Sequence, residues 1–375
     1  MDLDGEAIIL SNIEFFYKYS KLPDNKELKR DIESAATRLY DKLLKFNLKS
    51  ANLSEYNERY FGDKIKTQKS IVSSLQCYTF ILFFALHEVR KEYSEIVFMD
   101  YGGGHGMLAL LAKELGVGTV IHNDIFPISC EDAKAISSNL KISLDYFIPG
   151  DIDTVIEFLK REKITLDAIG NYDVIEHIYD IEDFIKKLRY IPSEHLHLFF
   201  ASGANSLNPR IRKKLMKQHL EFENEDRKYK YGRKPTDETR ALIKVREEII
   251  LKNAKNLTDY QLQELIRTTR GLIVDDINRA VENYLISGEY PKEIKHPTNT
   301  CDPYTGSWFE HLMNPYELSG LLKDNGFNSE VIAGYYGQNH SFLMNNILNL
   351  ANLIISKFDS LGLSLSPFYC LKANR

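Results

Sequence analysis

The apolar run "IVFMD", Ile96 to Asp100, leads straight into "YGGGHG", and the chain then takes up a helical pattern from Met107 to Leu115. Four glycines thus fall within the seven residues Asp100–Gly106. A buried-strand pattern that ends in so bare a turn and then a helix is the building unit of parallel α/β sheets, and such turns are where these sheets bind ligands. Glycine there permits positive φ and removes Cβ atoms. A nucleoside could then lie against the chain while the helix N-terminus offers N–H groups.

The flanking sequence repeats the unit. Strand-like runs "GTVIHND", "LDYFIPGD", "LDAIGNYD" and "HLHLFFAS" alternate with helical segments at Cys130–Asn139, Thr154–Arg161 and Ile181–Tyr190. Five strands separated by helices predict an α/β chain with a doubly wound parallel sheet. Residues 1–90 carry i, i+3, i+4 apolar spacing, as in Ile13, Phe16, Tyr17 and in Leu39, Leu43, Leu44, and read as a helical N-terminal section. Strand texture vanishes between 206 and 305, where charged helical patterns predict an insertion that caps the ligand edge. It returns in "FNSEVIAGYYG" and "SPFYCLKAN", so the sheet domain is expected over 91–205 plus 306–375.

At 375 residues, with 43% hydrophobic and 27% charged content, the chain can bury a sizeable core. A net charge of −5 gives no global attraction to nucleic acid or to an anionic membrane. The four cysteines form no CxxC, which suggests neither a disulfide framework nor a thiolate zinc site and fits a reducing cytoplasm. The start, MDLDGEAIIL, lacks a basic n-region, and the run Cys77–Leu86 is too short to span a bilayer, so no membrane partner is expected.

The glycine loop admits two registers. Gly104-x-Gly106-x-x-Ala109 satisfies a dinucleotide fingerprint and implies a pyrophosphate ligand. Asp100-x-Gly102-x-Gly104-x-Gly106 instead resembles motif I of class I S-adenosylmethionine (AdoMet) methyltransferases. Asp124, 22 residues after Gly102, ends the second strand as a ribose-binding carboxylate should, and either register predicts it. The segment "NYDVIEHIYD" separates them, because it resembles the signature after strand four in methyltransferases of the ubiquinone-biosynthesis type. The resemblance covers about residues 95–202, and "NPYELSGLLKDNGFNSEVIAGYYG" looks like the superfamily's tail.

That resemblance implies a Rossmann-like methyltransferase sheet with AdoMet as cofactor, held by Asp100, Gly102, Gly104, Gly106, Asp124, Asp151, Ile152 and Asn171. It also implies chemistry at Asp173, Glu176 and His177, which at i, i+3 and i+4 would share one face of a helical turn. With His311 these residues are also a candidate ligand set for a divalent metal, Mg²⁺, Mn²⁺ or Zn²⁺, although most of the superfamily with "EH" at this point needs no metal. The metal-free alternative makes His177 the general base, with Glu176 lining the pocket and His311 as second candidate base.

On the acceptor side, Asp302, Tyr304 and Trp308 in "HPTNTCDPYTGSWFEH" are expected to hold substrate, with Asn205 and Asn208 as further lining candidates. "DRKYKYGRK", Asp226–Lys234, could hold a phosphate or end a solvated helix, and His105 faces either the cofactor or solvent. The apolar face of "FLMNNILNLANLIISKF" suits core or a homodimer contact. The expected activity is methyl transfer to a hydroxyl or amine of a small molecule such as a sugar, nucleotide sugar or secondary metabolite. Two rivals stand beside it: a metal-assisted RNA 2′-O-methyltransferase, and a catalytically silent AdoMet-binding sensor or scaffold.

Overall fold

The helical N-terminal section and the sheet share one hydrophobic core. In the computed structural model, which describes residues 13–18, 20–228, 238–337 and 342–375, the section comprises α1 (Lys26–Leu44), α2 (Glu55–Ile65) and α3 (Gln68–Leu86). Asn25 starts α1 by accepting from the Leu28 N–H, and Leu28, Ile32, Ala35, Leu39 and Leu43 then line its buried face. A Thr67/Ser70 capping box starts α3. Among the described residues α3 is long and apolar enough to cross a membrane, yet Phe80 to Leu86 are all buried, with the Phe84 ring stacked on Phe199 at 4.8 Å. Its all-round apolarity is that of a core helix.

From residue 97 the alternation follows the expected order: β1 (Val97–Tyr101), α4 (Met107–Leu115), β2 (Thr119–Asp124), α5 (Pro127–Leu140), β3 (Tyr146–Pro149), α6 (Ile152–Glu162), β4 (Ala168–Tyr172), α7 (Ile181–Leu188) and β5 (His197–Ser202). The insertion supplies α8 (Pro209–Asn224), the short pair β6 (Arg227–Lys228) and β7 (Glu238–Thr239), α9 (Leu242–Asn253), α10 (Asp259–Thr268) and α11 (Val274–Ser287). The chain closes with α12 (Pro315–Asp324), β8 (Asn328–Ala333), α13 (Phe342–Lys357), α14 (Asp359–Leu365) and β9 (Tyr369–Asn374).

The seven-stranded sheet runs β3-β2-β1-β4-β5-β9-β8. The five strands read from the sequence are parallel, whereas β9 lies antiparallel between β5 and β8, so the sheet is mixed. Strand order reverses between β1 and β4, which opens a crevice at their C-terminal ends. α1, α3 and α4 cover one face and α6, α7 and α12 the other.

The insertion differs from the N-terminal section in having a small core of its own, built on Ile249, Ile250, Leu265, Ile266, Ile277 and Val281. From Tyr229 onward the stretch read as "DRKYKYGRK" lies outside the described residues; Asp226 accepts from the Ala241 N–H at 2.8 Å. α13 buries Asn352, which bonds Tyr17 and Tyr336, and leaves Leu343, Met344, Ile347 and Leu350 exposed. All four cysteines are unpaired.

Candidate functional site

Two walls face each other across the crevice. The first is the glycine loop between β1 and α4. Gly102, Gly104 and Gly106 have φ of +67°, +52° and +78°. A Cβ on Gly104 would meet nothing within 4 Å, so this residue borders open space. Gly103, which sequence reasoning passed over, is the tightest: a Cβ there would lie 2.5 Å from the Asp100 carboxylate and 2.6 Å from the His122 ring. The loop is pinned to β2, with Gly103 N–H donating to Asn123 O at 2.8 Å and Gly104 N–H to the Asp124 carboxylate at 3.0 Å.

The N-terminus of α4 is not open as the sequence suggested. Gly106 gives it no side-chain cap; instead the Asp100 carboxylate accepts from the Ala109 N–H at 3.1 Å, and His105 Nδ1 accepts from the Met107 N–H at 3.3 Å. A carboxylate therefore sits where a pyrophosphate would need free N–H groups. Burial pushes the Asp100 carboxyl up to about 7, with the Ala109 hydrogen bond opposing and Asp124 reinforcing the shift. His105 faces neither solvent nor the crevice. It is buried among the rings of Tyr60, Phe61 and Tyr78, and burial pushes it down to about 3.

Asp124 holds Gly104 and Phe126 N–H groups through its two oxygens, each of which keeps a lone pair, and burial raises its pKa. Asn171, at the end of β4, is fully buried, and among the described residues neither of its amide atoms has a partner. Asp151 and Ile152 follow β3 as expected, and each also has a structural part there. Asp151 caps α6 through the Thr154 N–H and hydroxyl, and Ile152 is buried in the core beneath. An N-cap aspartate and a core isoleucine have their local structural reasons at a strand-to-helix turn.

The second wall begins at Asp173, a non-glycine residue at φ +53°, followed by a single 3-10 turn at Ile175–His177 rather than a helix that carries all three side chains. Asp173 is turned toward β5, where it accepts from the Gly203 N–H at 2.9 Å. Glu176 is 0% exposed, and among the described residues no well-formed hydrogen bond reaches its carboxylate oxygens, although Asp173 and Ser202 lie beside it. A buried carboxylate so poorly partnered is costly, and its usual relief is a proton or a cation. Burial first, then Asp173 and Glu310, raise its pKa well above the ordinary carboxylate range.

Opposite lies the loop that ends the insertion. Trp308 N–H donates to His177 O at 3.2 Å, His311 N–H to Glu176 O at 3.1 Å, and His177 Nδ1 contacts Trp308 O at 2.7 Å. Because a carbonyl can only accept, His177 carries a proton on Nδ1, and in the neutral ring Nε2 is then the acceptor. Glu310, at φ +54°, completes a group with Glu176 and His177 in which one ligand atom from each lies within 4.8 Å of the others. Burial raises the Glu310 pKa, as it does that of Asp173.

Several expected roles are changed by these contacts. His311 does not join that group: its Nδ1 donates to Thr298 O at 2.7 Å and its ring stacks on His296 at 4.1 Å, with burial pushing it down to about 4. Glu310 takes the place expected of it, and the twin tripeptides "IEH" and "FEH" were the signal in the sequence. Trp308 is no open platform, since it is buried, stacked on Tyr179 and hydrogen-bonded to Tyr179 O at 3.0 Å. Asp302 accepts from the Tyr304 and Thr305 N–H groups of its own turn, and Tyr304 is 64% exposed. Asn205 and Asn208 tie β5 to α14 through Leu363, Leu365 and Ser366 carbonyls.

A stretch of 119 residues is 29% identical to the ubiquinone biosynthesis O-methyltransferase of Pelagibacter ubique (strain HTCC1062), covering 32% of this chain and 47% of that protein. The chain thus spans about half the length of the curated relative it matches. No family model matches it. Solved structures similar to it include an S-adenosylmethionine dependent methyltransferase from Mesorhizobium loti (15% identity, TM-score 0.36, 78% of this chain and 96% of that one). Another is the plantazolicin methyltransferase in complex with SAH (11% identity, TM-score 0.37, 91% and 98%). The curated relative agrees with the resemblance to class I AdoMet methyltransferases drawn from the sequence.

Proposed function

From this sheet and its crevice we propose that the chain transfers a methyl group from AdoMet to a hydroxyl or amine of a small molecule in the cytoplasm. The observation that carries the reading is the filled N-terminus of α4. With Asp100 occupying the Ala109 N–H, the turn has no free donor there for a pyrophosphate, and the site suits a nucleoside without one. Asp124 has lone pairs for ribose hydroxyls, Gly104 gives the cofactor access to the backbone, and the unpartnered Asn171 amide offers both donors and an acceptor.

AdoMet when bound supplies an electrophilic methyl group and a neutral thioether leaving group. The chain's own work is alignment and proton removal. His177, its Nδ1–H held by Trp308 O, would take the acceptor's proton on Nε2 as the new bond to carbon forms. Glu176 and Glu310 would orient the acceptor. A second reading of the same group has Glu176, His177 and Glu310 hold a divalent cation, Mg²⁺ or Mn²⁺, which would lower the pKa of a bound hydroxyl. The poorly partnered Glu176 oxygens support it.

Calorimetry with AdoMet and with its demethylated product tests the cofactor. Binding of both is expected, and binding of NAD with neither of them would overturn the reading. Methyl-labelled AdoMet offered with small-molecule and RNA fractions separates the acceptors, label being expected in the former. Mn²⁺ titration and chelation decide the second reading: no Mn²⁺ binding and turnover indifferent to EDTA would remove it.

A further inference from the structure

A buried ion cluster lies inside the insertion. Arg246 of α9, 2% exposed, makes a two-point contact with Glu223 of α8 and also donates to Ile266 O. Arg270, just past α10, lies 3.5 Å from the same carboxylate. Buried ion pairs add little net stability, because desolvation offsets their attraction; what they can add is one fixed geometry. The insertion already has an apolar core to hold its helices together. The cluster's remaining partner lies outside those helices.

That partner is Thr300, fully buried. Its hydroxyl accepts from Arg270 Nε and Nη2 at 3.1 and 2.8 Å and donates to Glu223 at 3.3 Å, while its N–H donates to His219 Nδ1 at 3.2 Å. From Thr300 the chain forms a narrow ladder. Phe309 N–H donates to Thr300 O at 3.2 Å, Cys301 pairs with Trp308, and Asp302 N–H donates to Ser307 O at 2.9 Å. The ladder ends in the Trp308 carbonyl that receives His177 Nδ1–H and in Glu310 beside it.

We propose that Thr300, anchored by Glu223, Arg246 and Arg270, is a positioning residue: it holds the Trp308 carbonyl against His177 and so fixes that ring in the tautomer whose Nε2 is the acceptor. This rests on reading His177 as the proton acceptor. The insertion is then a buttress for the acceptor wall, and a ladder released at Thr300 lets the imidazole exchange tautomers. The cofactor wall has no part in this connection.

The test uses the full chain with ¹⁵N-labelled histidine, the His177 signals being those lost in His177→Gln. Wild type is expected to show one tautomer, protonated at Nδ1. In Thr300→Val the two nitrogen shifts should move toward each other as tautomers mix, and Thr300→Ser should restore the wild-type pattern. Arg270→Gln, which leaves the Glu223–Arg246 pair intact, should mix them as well. AdoMet affinity by calorimetry should stay within twofold throughout. A folded Thr300→Val or Arg270→Gln protein with the wild-type tautomer overturns the proposal, as does failure of Thr300→Ser to restore it. The tautomer is read without methyl transfer, so a wild type that ignores AdoMet would sink the proposed function and leave this result to stand or fall alone.

Discussion

The wall proposed for the cofactor draws its loop and carboxylates from the single stretch Asp100–Asp124, whereas the wall proposed for the acceptor joins His177 to a carbonyl 131 residues away. The first is local in sequence and rigid by construction: a strand, a turn that only glycine can make, a helix and the next strand, each bonded to its neighbour. The second exists only once a helical insertion has folded and carried its closing loop back onto β4. Two walls with such different origins should fail differently. Damage to the first should be read in cofactor binding, damage to the second in transfer alone.

The sharpest separation comes from His177→Gln. Loss of a positioned base costs about 10²- to 10⁴-fold in rate, so transfer should fall by that factor while AdoMet affinity, measured by calorimetry, stays unchanged. Parallel loss of AdoMet binding would erase the distinction between the walls.

Next in size is a pH effect confined to the cofactor wall. The Asp100 carboxyl rises from 3.8 to about 7 on folding. Between those values the native state keeps a proton that the unfolded chain releases, so this group's contribution to stability falls as pH rises. At about 1.4 kcal/mol per unit the change is roughly 4 kcal/mol between pH 4 and pH 7, and it levels off above that. Asn cannot titrate. Urea denaturation of wild type and Asp100→Asn should therefore give a stability difference that moves against wild type by this amount across the window. His105 and His122, both pushed down to about 3, lose stability in the opposite direction as pH falls below 6.5; His105 cancels in the difference, while His122, 4.0 Å from Asp100, is followed separately by its NMR titration in each protein. A difference that does not change with pH would show that Asp100 is not buried as described.

The smallest effect is steric. An added methyl at Gly103 would press on Asp100 and His122, and overpacking of this kind costs about 1–3 kcal/mol. Gly103→Ala should bind AdoMet roughly tenfold to hundredfold more weakly. Wild-type affinity in that variant would mean the loop is loose, and the contrast with the acceptor wall would lose its basis.

Much of the fold was legible because its signals are short-range. Alternation of apolar strands with helical segments placed β1 to β5 and the helices between them, and the return of strand texture marked β8 and β9. The antiparallel entry of β9 between β5 and β8 was not legible, since strand order is a matter of pairing rather than pattern. In the site, Asp124 ended β2 where the ribose argument put it. The helical-turn argument put Asp173 beside Glu176 and His177, where its charge is felt, but a left-handed φ rather than a helix places it there and gives one of its oxygens to the Gly203 N–H.

The sequence by itself determined the glycine turn and the helical character of the insertion, because each depends on residues within a turn or two of one another, while the register on Asp100 came from the resemblance carried by "NYDVIEHIYD" downstream. Only the tertiary structure decided that Glu310 rather than His311 stands beside Glu176, that Trp308 gives its carbonyl rather than its ring, and that His105 packs under α2 and α3. In "FEH" both residues are chemically fit for the site. Which one enters it depends on the backbone at Glu310 and on the stack that holds His311 against His296, and those are set by chain segments far apart in sequence.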